Sequence, residues 1–125
     1  MQNEKRKFPR LLCSDQFSNS TIIIDDVAYE MISVNFNNSG MAVYSHIRLP
    51  ETNICFVSFT LDNESPVEIM NIPATIRYRH EMETGNQYGL EFKIEEMEQP
   101  TIAKLKSIEE YLRQSEDLES RWPLP

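Results

Sequence analysis

Cations, cysteine, histidine and long apolar runs are all scarce in this chain, and each scarcity removes a class of function. Lys and Arg number 12 against 20 Asp and Glu, for a formal net charge of -8. The long-range field of such a chain repels DNA, RNA and anionic membrane surfaces, so general nucleic-acid binding is not expected. Cys13 and Cys55 stand alone, without CxxC spacing or a His-rich partner segment, which argues against a zinc site or a redox motif. His46 and His80 are far apart in sequence, with no carboxylates at metal-ligand spacing. No stretch approaches the length of a membrane span, and the N-terminus is charged and polar where a signal peptide needs an apolar run. A cytoplasmic protein with reduced thiols is expected, with no membrane insertion. No Gly-x-Ser-x-Gly elbow, phosphate-binding P-loop or HExxH occurs, and the pairs Asp25-Asp26 and Glu95-Glu96 read as a turn and a solvated charge rather than an acid and a base. An enzyme is not expected.

Against this background one run stands out. Lys5, Arg6, Lys7 and Arg10 crowd together in Lys5-Arg6-Lys7-Phe8-Pro9-Arg10, although the rest of the chain is dominated by acids. A nucleic-acid duplex calls for a basic face over a whole domain, because affinity comes from neutralising many phosphates. One compact cluster suits a small ligand carrying a few phosphates, which the planar fork of arginine holds bidentately. Taken alone, the run also reads as a solvated tail.

The chain is long enough for one domain with a core that needs no staples. Extended patterns fall at 21–24, 28–34, 41–44, 54–61, 68–79 and 87–92, with turn signals between them, including Asp25-Asp26 and Asn37-Asn38-Ser39-Gly40. Strict alternation in the fifth pattern places Thr75, Arg77 and Arg79 on one face, and Pro73 within it marks a bulge or an edge. From Pro100 the pattern changes to helical spacing, with Ile102, Leu105, Ile108, Tyr111 and Leu112 forming one apolar stripe. Many short strands and one terminal helix predict a mainly β protein, an antiparallel barrel or sandwich with the helix over an end or side.

Arg6 and Arg10 form RxxxR, and the second motif reads Asn35-x-Asn37-x-x-Gly40; in that order they resemble the PilZ domain, whose pattern is RxxxR followed by D/N-x-S-x-x-G. Tyr88-Gly89-Leu90-Glu91-Phe92 resembles the Gly-x-x-Phe strand that commonly closes a PilZ barrel, and the helix from about Pro100 sits where that family keeps its own. The resemblance covers nearly the whole chain and implies a six-stranded antiparallel β-barrel with a C-terminal α-helix. It divides the chain into a PilZ-like domain at 1–115, with a flexible switch segment at 1–10 and the helix at 100–115, and a polar tail at 116–125.

PilZ domains are bacterial cyclic di-GMP receptors, so the resemblance implies cyclic di-GMP as ligand, with no other cofactor and no metal. Arg6 and Arg10 would clamp phosphates and stack on guanine, and Asn35 and Asn37 would offer amide donors and acceptors. Gly40 would let backbone approach the ligand, and Lys5 would add a phosphate contact of the kind that accompanies a stacked ligand dimer. Arg77 and Arg79 are weaker candidates for the same site. Asn37 stands where the family has serine and is read as a polar surface turn residue. Two readings follow: a receptor that relays its signal to an effector protein, or a degenerate PilZ domain that binds no nucleotide and serves as an interaction subunit in pilus assembly or motility. A barrel for another small anionic ligand is a third.

Overall fold

The computed structural model describes residues 11–12, 19–62 and 65–121, with backbone alone for 11–12 and 115–121. The strands are β1 (Leu11–Leu12), β2 (Ser20–Ile24), β3 (Val27–Asn37), β4 (Gly40–Ser45), β5 (Ile54–Leu61), β6 (Val67–Met82) and β7 (Gly85–Phe92). A 3-10 turn at Ile94–Glu96 leads to helix α1 (Gln99–Arg121). All pairings are antiparallel, in the order β1-β3-β2-β5-β6-β7-β4, and β3 also pairs with β4. That last pairing closes β2 to β7 into a six-stranded barrel, which leaves no edge among them, while β1 lies outside the ring against β3. The predicted six-stranded barrel with a terminal helix is the observed one.

Alternation along the strands builds the core. In β2 the residues Ser20, Ile22 and Ile24 are buried, and in β5 so are Cys55, Val57, Phe59 and Leu61. Phe36, Phe59 and Phe92 meet at its centre, with ring centroids 5.7 to 6.2 Å apart. One barrel end is covered by α1, which buries Leu105, Ile108 and Leu112 at helical spacing and touches β1, β3 and β6. Pro100 occupies the first turn, where an N–H has no intrahelical partner. The helix runs on to Arg121, past Ser115 where the tail was expected to begin. Its sequence there includes the good helix formers Glu116, Leu118, Glu119 and Arg121, with Pro123 the first breaker.

Local chemistry sets the turns and irregularities. Asp25 and Asp26 join β2 to β3 as a two-residue loop with φ of 51° and 67°, the left-handed pair that matches hairpin twist. In β6, Met70 and Asn71 oppose Ser58 alone, so the strand bulges. Asn71 takes φ 51°, and its N–H donates to Ser58 Oγ at 2.8 Å. Pro73 lies just beyond this bulge, paired with Phe56, and its carbonyl accepts from Lys93 N–H at 2.9 Å, past the last residue of β7. Carbonyl and nitrogen of a strand residue share a side, so the missing N–H of Pro73 falls where the ladder has ended.

A second bulge corrects the sequence expectation for the arginines. Ile76 pairs with Leu90 and Tyr78 with Gly89, which makes Arg77 an extra residue. A one-residue insertion inverts alternation beyond it, so Arg77 and Arg79 do not share a face.

Candidate functional site

The second motif straddles the β3–β4 hairpin. A register shift between Ser33 and Asn35 turns Asn35 outward while Phe36 stays in the core. Asn35 pairs with Ala42 on β4, Ala42 pairs with Gly89 on β7, and Tyr78 of β6 follows, so one row crosses four strands on the outer wall. Two of its members are small. The Tyr78 ring lies directly over Gly89, where an added Cβ would sit 2.0 Å from a ring carbon. Both small residues are buried, Gly89 beneath the Tyr78 ring, so the row runs from the Asn35 amide to an aromatic ring over two positions with little or no side chain.

Asn35 carries the most informative atom of this strip. Its Oδ1 is buried and has no hydrogen-bond donor. A buried acceptor left without a donor costs about 1–3 kcal/mol, so Asn35 Oδ1 calls for a donor from outside the described fold, such as a ligand or a water. Strand β1 runs alongside, with Leu11 opposite Phe36 and Leu12 opposite Asn35. The residues before it, including Lys5, Arg6 and Arg10 and the whole expected switch segment, lie outside the described residues, as does Cys13.

Asn37 is not on the surface. It is 2% exposed, and its Oδ1 accepts from Ser39 N–H (2.8 Å), Ser39 Oγ–H (2.8 Å) and Gly40 N–H (3.0 Å). The longer asparagine side chain thus folds back over its own turn, an arrangement known as an Asx-turn. Gly40 begins β4, between Asn37 and Glu91. The remaining turn N–H, that of Asn38, donates to Glu109 Oε1 of α1 at 2.7 Å. Glu109 was not singled out in the sequence. The one signal for it is its position beside Ile108, at the flank of the buried stripe.

Arg77 and Arg79 do different work. Arg77 is exposed and forms an ion pair with Glu91, with Nε 2.6 Å from Oε1. Together with Ser39, Thr75, Glu91 and Lys93 it lines a cleft of about 540 Å³ beside the motif turn. Arg79 instead donates to the carbonyls of Leu49 (3.1 Å), Pro50 (2.7 Å) and Thr52 (2.5 Å), and its guanidinium lies 5.7 Å from the centre of the buried Tyr88 ring. It pins the loop between β4 and β5 to the barrel.

Elsewhere the chemistry is quiet. Burial pushes the Cys55 thiol up to about 11, so it stays protonated and inert. Among the described residues no group of His, Cys, Asp and Glu could hold a metal ion, and no helix is long and apolar enough to cross a membrane.

A closed six-stranded antiparallel barrel, a side-chain-held turn between β3 and β4 and a helix over one end define the architecture. Its family follows from comparison: the PilZ domain model matches residues 4–114, and the chain belongs to that family. Solved structures agree on the fold. Escherichia coli YcgR in complex with c-di-GMP is similar with a TM-score of 0.72 and 10% identity over 94% of this chain and 50% of its own. Bacillus subtilis MotI/DgrA, an inhibitor of motility, is similar with a TM-score of 0.67 and 16% identity over 98% and 55%. The c-di-GMP complex of Borreliella burgdorferi PlzA gives a TM-score of 0.57 and 7% identity over 95% and 55%. The chain thus spans about half the length of these proteins, whereas it covers 100% of the isolated YcgR PilZ domain. No curated protein matches it by sequence.

Proposed function

We propose that this chain is a cytoplasmic cyclic di-GMP receptor, not an enzyme, and that it relays nucleotide binding to a protein partner. Arg6 and Arg10 clamp the phosphates and stack on guanine, with Lys5 as a further cation, while Asn35, the Asn37–Gly40 turn and Arg77 form the facing wall. Arg79 is left out, because three loop carbonyls engage it. The single observation that carries the reading is the buried, donor-less Oδ1 of Asn35 on a strip of small residues. Guanine N–H groups and guanidinium N–H groups are both donors of the kind it lacks. Chain continuity adds support: consecutive Cα atoms are about 3.8 Å apart, so Arg10 is tethered to Leu11, whose partner is Phe36 of the second motif. Similarity to YcgR and PlzA, both solved with c-di-GMP, points to the same ligand, and similarity to MotI, an inhibitor of motility, to a role in motility.

One observation favours the other reading, a PilZ domain that has given up nucleotide for a structural role in pilus assembly or motility. Asn37 directs its oxygen into its own turn, not toward a ligand. Calorimetric titration decides between them. Saturable binding of cyclic di-GMP, absent with GTP and weakened roughly ten- to a hundred-fold by Arg6→Ala or Arg10→Ala, is the receptor's result. No saturable binding by the unmodified protein leaves the interaction subunit.

A further inference from the structure

Among the described acidic side chains of α1, Glu109 is the one with a hydrogen bond to the motif turn. Its side chain is 13% exposed, one carboxylate oxygen accepts the Asn38 N–H and the other pairs with Arg113 Nη2. Within the motif turn the next two N–H groups, of Ser39 and Gly40, both go to Asn37 Oδ1. Three successive backbone donors are thus held by two side-chain oxygens, Asn37 Oδ1 taking two from within the turn and Glu109 Oε1 one from the helix. Consecutive N–H groups in a turn form a concavity that attracts anions, and here a carboxylate takes one of the three. The helix also touches β1, the strand that continues from the RxxxR segment, and is buried against β3 and β6. It therefore contacts the strand that follows the first motif and the strand that carries Asn35 and Asn37 of the second.

We propose that Glu109 is a positioning residue: by holding Asn38 it sets the posture of the second motif and couples the nucleotide site to helix α1. The helix is thereby the element through which an occupied site is felt by a partner. This rests on the receptor reading for the ligand's identity, whereas the positioning itself does not depend on it. A carboxylate is suited to the task because a charged acceptor strengthens the bond to a backbone N–H, and Arg113 restrains its rotation. Glutamine at 109 keeps an oxygen acceptor for Asn38 and gives up the charge, while alanine gives up both and is the best helix former, so the fold of α1 is preserved.

The test uses the full chain and its Glu109→Gln and Glu109→Ala variants, with amide hydrogen exchange at 38–40 and 105–114 and titration with cyclic di-GMP. Without nucleotide, Glu109→Ala loses protection at Asn38 and Glu109→Gln retains most of it. With nucleotide, Glu109→Ala binds roughly tenfold more weakly and the glutamine variant within about threefold of the unmodified protein. In the unmodified chain the nucleotide raises protection in α1, and in Glu109→Ala it does not. Unaltered exchange at Asn38 in Glu109→Ala overturns the positioning role, and normal affinity together with a normal α1 response in that variant overturns the coupling. Failure of the unmodified protein to bind removes the receptor reading, and the exchange contrast between the alanine and glutamine variants still decides whether Glu109 positions the turn.

Discussion

Replacing Asn35 with alanine is expected to improve the ligand-free protein while damaging the liganded one, a combination that a purely structural residue does not produce. In the fold, Asn35 Oδ1 is buried without a donor, on a strand paired on both sides by β1 and β4. Removing an orphaned acceptor recovers about 1–3 kcal/mol. Truncation loses packing worth roughly one methylene, about 0.8 kcal/mol. The net is a gain of about 0–2 kcal/mol, and at ~4 °C per kcal/mol for a domain of this size the melting temperature rises by about 0–8 °C. Ligand reverses the comparison. At one hundred times its Kd, cyclic di-GMP stabilises the unmodified protein by about 2.7 kcal/mol, a shift of ~11 °C. A variant with affinity lowered roughly ten- to a hundred-fold gains about 0.4–1.4 kcal/mol at the same concentration, ~2–6 °C. Paired thermal melts with and without nucleotide read both numbers. Destabilisation of the ligand-free Asn35→Ala protein by more than about 1 kcal/mol would show that the amide oxygen has a structural partner in solution, and the argument from its orphaned state would fail.

Three other outcomes follow from the same geometry. Asn37→Ala leaves the N–H groups of Ser39 and Gly40 without their acceptor in a buried turn and should cost about 2–3 kcal/mol in urea denaturation, while Asn37→Ser, with a shorter reach, should cost less; a neutral alanine variant contradicts the hydrogen-bond assignment. Asp26→Gly removes the strain of a side chain at φ 67° in the β2–β3 loop and should raise stability by several tenths of a kcal/mol, whereas Asp26→Val should lower it; equal melting temperatures would argue against a left-handed turn. Cys55 has its thiol raised from 9.0 to about 11, so the folded state holds the proton more tightly than the unfolded chain: its contribution is complete below pH 9.0 and is lost as pH rises through about 11. Denaturation midpoints at about pH 8 and pH 10.5 should therefore fall further in the unmodified protein than in Cys55→Ala, and equal falls would show the thiol is not buried.

Much of the fold was legible because it rests on local pattern. The extended pattern at Ile54–Leu61 located β5 to the residue, Asp25-Asp26 signalled the β2–β3 turn, and helical spacing of Leu105, Ile108 and Leu112 identified the stripe that seals the barrel. The ordered motifs named the family before any coordinates. What the sequence could not settle were relations set by register between distant strands. One extra residue at Arg77 sends Arg79 to the loop carbonyls instead of the outer wall, because side-chain direction in a strand has period two and a single insertion inverts it. Asn37 looked like a surface turn residue, and only the tertiary fold shows it buried over its own N–H groups. The lone acceptor on Asn35, the strip of Ala42 and Gly89 beside it and the grip of Glu109 on the turn each join residues far apart in the chain. Composition and periodicity act along the chain and decide which segments become strand or helix; the closure of β3 on β4 and the docking of α1 act across it, and they alone decide which polar atoms are satisfied within the fold and which are not.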